Sequence, residues 1–167
     1  AKAKNTVRTL NHDADSCRFA IVSDIHARDD HFKALTSGLS PEELDFFVVN
    51  GDLVSQIYDI DKTTHHAVDP IQSLVANLPY LYVRGNHEGR GNDHHKLSEV
   101  FPMRERDGWY YTFRQGPVAF IVLDAGETGH SRSILYSGKA VYEDYLEEQI
   151  RWAREAMREP FFSSAPM

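Results

Sequence analysis

The stretch FFVVNGDL, residues 46–53, carries the strongest indication of the fold. Four consecutive apolar residues make a run of strand length, and this run passes directly into the polar turn Asn-Gly-Asp. A short apolar run bounded by turn residues is typical of a strand that is buried on both faces, as in parallel sheets. We therefore predict a buried strand whose carboxyl end presents Gly51 and Asp52.

Two other apolar runs share this design, since residues 19–22 lead into SDIH (23–26) and residues 80–83 lead into RGNHE (84–88). Apolar residues recur at helical spacing behind the first strand and again over residues 71–78. The segment SPEE (40–43) has the residue order of a helix start. Strands that alternate with helices predict an α/β fold in which helices cover the sheet.

The second half of the chain predicts a hairpin followed by a long helix. Residues 109–114 and 118–123 are separated by the turn Gln-Gly-Pro and favour an antiparallel pair. A weaker helical pattern spans residues 94–100, and a strong one spans 142–157, where Pro160 ends the run. We expect residues 1–167 to be one domain, truncated at its C-terminus. Its polar lead-in spans 1–15, and 161–167 serve as a connector.

Composition excludes several classes of function. The chain has 18 Lys and Arg against 25 Asp and Glu, a formal net charge of −7, so we expect no nucleic-acid partner. No apolar stretch approaches the ~18–20 residues of a membrane span. The single cysteine, Cys17, excludes an internal disulfide and a cysteine-rich zinc site. Because the sequence begins at Ala1, localisation stays open between the cytoplasm and export with a leader removed.

The candidate ligands follow the three predicted strands, where α/β sheets form their ligand crevice. Asp24 and His26 can direct a carboxylate oxygen and an imidazole nitrogen at one ion, and Asp52 could bridge two ions. Asn86 supplies a neutral carbonyl oxygen. Because this donor set contains oxygen and nitrogen but no sulfur, it suits manganese, iron or zinc.

Gly51 and Gly85 stand directly before the predicted ligands, where a residue without Cβ permits a sharp turn and a close backbone approach. Taken singly, D-x-H and Gly-Asp are more often ordinary turns than functional motifs, whereas Gly-Asn-His-Glu is rarer. Three such motifs in chain order, each at the end of a predicted strand, indicate a functional site.

The order D-x-H, G-D and G-N-H-[DE] resembles the motif pattern of the calcineurin-like metallophosphoesterases over residues 19–90. The resemblance implies a layered β-sandwich of mixed sheets flanked by α-helices. It also implies two divalent or trivalent ions that activate a water molecule to hydrolyse phosphate esters. By position, Asp24 and His26 would hold one ion, Asp52 would bridge both, Asn86 would hold the second, and His87 would act near the leaving group.

Two departures from that pattern bear on the site. The family has further histidine ligands later in the chain, but residues 129–132 read GHSR, and we interpret His130 as a loop residue. We therefore expect the missing ligands to lie beyond Met167. The purple acid phosphatase branch has an iron-binding tyrosine where this chain has Ser55, and a glycine where it has His26, so we expect a colourless site.

Residues around the third motif receive local interpretations. We expect Glu88 to orient the ring of His87, and we interpret Arg84 and Arg90 as solvated surface residues rather than phosphate contacts. The histidines at positions 12, 31, 65, 66, 94 and 95 are interpreted as surface residues, with the 94–95 pair also placed to overhang a substrate.

The sequence thus favours a metal-dependent hydrolase of phosphate esters. A non-catalytic metal-binding or scaffold domain of the same fold remains an alternative, as does a nuclease of the same superfamily, which the negative charge disfavours. Monoester, diester, nucleotide and phosphoprotein substrates stay open because loops outside the motifs select among them. Oligomeric state is not indicated.

Overall fold

The computed structural model describes residues 6–101, 108–126 and 142–166. The predicted α/β fold is confirmed. Three strands, β1 (Phe19–Val22), β2 (Phe46–Asn50) and β3 (Tyr80–Val83), form a parallel sheet in the order β1-β2-β3. Each strand coincides with the apolar run that predicted it. Because the strands are parallel, their carboxyl ends lie at the same edge of the sheet. The segment around His130 lies outside the described residues.

The central strand β2 is buried on both faces, as its unbroken apolar run predicts. On one face Phe47 and Val49 join the main apolar core together with Phe32 from the helix between β1 and β2. On the other face the ring of Phe46 contacts Phe113 and Phe120, with ring centroids 5.3 and 5.5 Å away. Because side chains alternate along the strand, β2 packs against the main core on one face and against aromatic side chains of residues 113 and 120 on the other.

Helix α1 (Asp29–Thr36) follows β1, and Phe32 is its fully buried apolar residue. The helix start predicted at residues 40–43 is wrong in extent, because only the 3₁₀ turn Pro41–Glu43 forms there. Ser40 makes no capping hydrogen bond. Since β2 begins at Phe46, the chain has no room for a longer helix.

The connection from β2 to β3 contains α2 (Ile60–Val68) and α3 (Gln72–Val75), joined by the 3₁₀ turn Asp69–Ile71. The sequence prediction missed α2 and made the next helix too long. The carboxylate of Asp59 caps α2 by accepting hydrogen bonds from the N–H groups of Asp61 and Lys62. With Thr63 and Ala67 as its buried residues, α2 has little of the apolar periodicity that reveals a helix.

Helix α4 (Leu97–Val100) follows the 3₁₀ turn His94–Lys96 and confirms the weaker helical pattern there. The predicted hairpin is also confirmed: β4 (Tyr111–Gln115) pairs antiparallel with β5 (Val118–Val122). Gly116 lies in the turn between them with φ +53°.

The long C-terminal helix is confirmed as α5 (Tyr142–Ala156). The interpretation of the following segment as a plain connector is wrong for its first part, where α6 (Pro160–Ser163) forms. Pro160 stands at the start of α6, a position that tolerates its missing N–H. None of the helices in the described ranges is long and apolar enough to cross a membrane.

Candidate metal centre

Three loops carry the motifs: loop 1 (residues 23–28), loop 2 (51–57) and loop 3 (84–91). Loops 1 and 2 continue the pairing of β1 with β2 beyond the strands. The N–H of Asp24 donates to the carbonyl of Gly51 at 3.2 Å, and the N–H of His26 donates to the carbonyl of Asp52 at 3.0 Å. The first two motifs are therefore fixed side by side by backbone hydrogen bonds.

Both loops contain residues in the left-handed region of backbone conformation. Asp24 has φ +56°, His26 +51°, Ala27 +56° and Asp52 +53°. Such conformations cost about 1–2 kcal/mol for residues with a Cβ, and they cluster at functional sites. Three of these four residues are predicted metal ligands, so the strained backbone conformations coincide with the candidate metal site.

Gly51 and Gly85 have the role the sequence predicts for them. Gly51 has φ +76°, and a Cβ on it would lie 2.7 Å from the Cα of Gly85. A Cβ on Gly85 would in turn overlap Oδ1 and the amide nitrogen of Asp52. The absence of both side chains lets loops 2 and 3 approach to backbone contact.

Glu88 joins loops 2 and 3 from the inside. Its carboxylate is 1 % exposed and accepts hydrogen bonds from the backbone N–H groups of Asp52 (3.0 Å), Leu53 (2.6 Å), Val54 (3.3 Å) and Gly85 (2.9 Å). Burial raises the pKa of this carboxyl, while the N–H donors of loop 2 oppose that rise. The expectation that Glu88 orients the ring of His87 is wrong, because its oxygens face backbone amides instead.

His26, Asp52 and His87 converge on one point. Each offers one ligand atom, and these atoms all lie within 4.8 Å of one another. The two imidazole rings meet edge to face, with centroids 4.6 Å apart. Two nitrogens and a carboxylate oxygen held this closely fit a divalent transition metal such as zinc or manganese.

The other predicted ligands are placed differently. Asp24 is exposed and does not belong to this group of His26, Asp52 and His87 within the described part of the chain. Asn86 is half-buried and precedes His87 at the start of the 3₁₀ turn His87–Gly89. His87 was predicted to act at the leaving group, and the structure brings it within ligand distance of His26 and Asp52.

Two hydrogen bonds hold His87 in place, one made by its backbone and one by its ring. The backbone N–H of His87 donates to Oδ1 of Asp52 at 3.1 Å, and the ring nitrogen Nδ1 lies 2.8 Å from the carbonyl oxygen of Ser55. The hydroxyl of Ser55 also lies 3.1 Å from Nδ1 of His26. The sequence drew attention to Ser55 only as a replaced tyrosine, and gave no signal that it contacts both histidines.

Arg84 is not the solvated residue that the sequence suggested. Its guanidinium is 19 % exposed and forms an ion pair with the fully buried carboxylate of Asp124, two residues after the end of β5. The hydroxyl of Tyr145 donates to the same carboxylate at 3.1 Å, and burial beside it raises the tyrosine pKa. The amide of Gln149 bonds both backbone groups of Asp124, at 2.6 and 2.8 Å. This network anchors the start of loop 3 to the hairpin and to α5.

Arg90 is half-buried against the ring of His87, with Nη1 3.1 Å from Nδ1 and 3.2 Å from Nε2. The interpretation of Arg90 as a solvated residue is therefore also wrong. A cation sits beside the candidate centre, at the position where an anionic ligand would be favoured.

Of the remaining histidines, one lies beside loop 3 and two lie on α2. His94 is exposed beside loop 3, with Nδ1 3.4 Å from the carbonyl of Gly89. His65 and His66 belong to α2 rather than to a loop, and their Nδ1 atoms each lie 2.8 Å from a carboxylate oxygen, of Asp69 and Asp29 respectively. These pairings explain the α2 histidines as surface contacts.

The structure is an α/β domain that gathers carboxylate and imidazole groups able to hold a metal ion at the carboxyl edge of a parallel sheet, where such folds bind their ligands. In agreement, the family model described as calcineurin-like phosphoesterase matches residues 17–160. The chain belongs to this family. No curated protein matches the sequence significantly.

Proposed function

We propose that this protein hydrolyses phosphate esters with a water molecule activated between two metal ions. Membership of the calcineurin-like phosphoesterase family supports the reaction class. The single observation that carries the proposal for this chain is the convergence of His26, Asp52 and His87 within 4.8 Å at the meeting point of three loops.

The proposed ligand set follows the motif order. Asp24 and His26 would hold one ion, Asp52 would bridge both ions, and Asn86 would hold the second. When bound, the ions supply positive charge to the phosphoryl oxygens and lower the pKa of the attacking water. Manganese, iron and zinc all suit this set of oxygen and nitrogen donors.

His87 would serve the departing oxygen. Its Nδ1 lies 2.8 Å from the carbonyl oxygen of Ser55, which leaves Nε2 for proton transfer. The ring would take up a second proton on Nε2 and deliver it from that atom to the departing oxygen. Arg90, whose guanidinium lies 3.2 Å from that nitrogen, would attract the negative charge of the substrate phosphate.

We further propose that the two sheets are facing layers of a β-sandwich. The ring of Phe46 on β2 contacts Phe113 and Phe120 of the hairpin, and Phe19 on β1 also contacts Phe120. Aromatic contacts of this kind between sheets are the packing that a sandwich core requires.

Asp52→Asn tests the proposal, because the amide keeps the shape of the side chain but loses the charge that would bridge two ions. We expect the wild-type chain, supplied with manganese or zinc, to hydrolyse an aryl phosphate monoester or diester. The variant should lose at least 100-fold in turnover while its circular dichroism spectrum stays unchanged.

Asp69→Asn, which alters an exposed aspartate of the α2 region, is the matched control and should leave turnover unchanged. Retained activity in Asp52→Asn, or wild-type activity that survives removal of metal by a chelator, would contradict the mechanism. Metal bound at about two ions per chain without hydrolysis of any ester would support the non-catalytic alternative instead.

A further inference from the structure

We infer that Ser55 is a positioning residue that sets the tautomer of both site histidines, His26 and His87. The inference rests on the proposed function, because it assigns the ring atoms that this function uses. One residue would direct both Nε2 atoms toward the reacting groups by holding both Nδ1 atoms.

The contact to His87 determines which ring nitrogen carries the proton. Nδ1 of His87 lies 2.8 Å from the backbone carbonyl oxygen of Ser55. A carbonyl oxygen can only accept a hydrogen bond, so the proton has to be on Nδ1. The lone pair of the neutral ring is then on Nε2. Nη1 of Arg90, which can only donate, lies 3.1 Å from Nδ1 and 3.2 Å from Nε2, so of the two nitrogens only Nε2 can accept from it.

The contact to His26 uses the other polar group of the same residue. Nδ1 of His26 lies 3.1 Å from the hydroxyl oxygen of Ser55, which can accept a hydrogen bond from an N–H at that position. A histidine that binds a metal through one nitrogen keeps its proton on the other, where an outer partner orients the ring. Nε2 of His26 is thereby left as the ligand atom.

The backbone around Ser55 holds it in place for this task. Leu53 is fully buried before it and Ile57 is fully buried after it. The N–H of Ile57 donates to the carbonyl of Arg90 at 2.8 Å, and the carbonyl of Ile57 accepts from Asp93 at 2.9 Å. An exposed serine is therefore supported on both sides by buried residues and by backbone hydrogen bonds to Arg90 and Asp93.

The two contacts can be separated experimentally, because only one of them uses the side chain. Ser55→Ala removes the hydroxyl and keeps the carbonyl, whereas Ser55→Thr keeps both. Ser37→Ala is the matched control, since its exposed hydroxyl donates instead to the carbonyl of Ala34 in α1.

The readout is the long-range ¹H–¹⁵N spectrum of the metal-free full chain, in slightly alkaline buffer where a free imidazole is neutral. In the wild type, in Ser55→Thr and in Ser37→Ala, both rings should carry the proton on Nδ1. In Ser55→Ala the ring of His26 should become a mixture of tautomers, while the ring of His87 stays unchanged.

Zinc affinity by calorimetry supplies a second readout, and Ser55→Ala should bind zinc about 10-fold more weakly, with recovery in Ser55→Thr. A wild-type His26 or His87 protonated on Nε2, or an unchanged His26 ring in Ser55→Ala, would overturn the inference. Wild-type tautomers as expected in a chain that hydrolyses no phosphate ester would count against the proposed function and leave the role of Ser55 intact.

Discussion

Oε1 of Glu88 accepts a hydrogen bond from the backbone N–H of Leu53 at 2.6 Å and thereby joins two loops that are 35 residues apart in the sequence. Oε2 accepts from Asp52 in the same loop and from Gly85 in its own. Because every one of these donors is a backbone amide, the bonds fix the path of the chain rather than the direction of one side chain. Glu88 therefore determines how far apart the second and third motifs lie.

Glu88→Gln should destabilise the protein although it preserves the volume of the side chain. The amide nitrogen can only donate, and it would face two N–H donors that lose their acceptor inside a buried site. We expect the free energy of unfolding to fall by about 2 kcal/mol, measured by urea denaturation. Glu155→Gln on the exposed face of α5 should change it by less than about 0.5 kcal/mol, and equal effects of the two substitutions would refute this role.

Gly85→Ala should impair the metal centre through a clash with Asp52. The added Cβ would overlap Oδ1 and the amide nitrogen of Asp52 and lie 2.9 Å from Oε2 of Glu88, so loops 2 and 3 have to separate. We expect zinc affinity to fall at least 10-fold and the protein to be less stable, as measured by calorimetry and thermal unfolding.

Gly38→Ala provides the comparison for that experiment, since a Cβ at Gly38 meets nothing within 4 Å. It should leave zinc affinity unchanged and leave stability equal or higher by about 0.4–1 kcal/mol, because alanine restricts the unfolded chain. If both alanine variants bind zinc as the wild type does, close approach at Gly85 is not needed for the site.

Features decided by neighbouring residues were predictable from the sequence. The apolar run of β2 and the Gly51-Asp52 turn that follows it are local, and so is the hairpin around Gly116. Helix α2 was missed because its start depends on a single cap, Asp59, and not on apolar periodicity. The local sequence pattern predicts a helix or strand only where the apolar residues that reveal the element are also the ones that it buries in the core.

The contacts between loops were not predictable in the same way. The motifs predicted Asp24 and His26 as ligands. The sequence does not reveal that both residues have left-handed backbone conformations, since residues with a Cβ rarely adopt such conformations. Arg84 and Asp124 are 40 residues apart, so their pairing exists only once the hairpin has packed beside β3. Sequence reasoning accordingly found the candidate ligands more readily than the residues that contact them.

Asp124→Asn should show how strongly the start of loop 3 depends on its ion pair. The substitution leaves the mostly buried guanidinium of Arg84 without a charged partner, while Gln149 still binds the backbone of residue 124. We expect the free energy of unfolding to fall by about 3 kcal/mol in a denaturant titration. Tyr145→Phe, which removes one hydrogen bond to the same carboxylate, should cost about 1 kcal/mol. If the two substitutions cost the same, the charge of Asp124 contributes little to stability.

His94 should titrate below the ordinary histidine value of 6.5. Although the residue is exposed overall, loss of solvation on its covered side lowers its pKa first. Electrostatic repulsion from His95 and from the Arg84 guanidinium lowers it further, because all three effects disfavour the protonated ring. Between the folded-state pKa and 6.5 the unfolded chain binds more protons than the folded chain, so acidification through that window reduces stability. An NMR titration of the His94 ring measures the midpoint directly. His95→Gln removes one of the repelling groups and should raise that midpoint. A midpoint at or above 6.5 in the wild type would contradict the prediction.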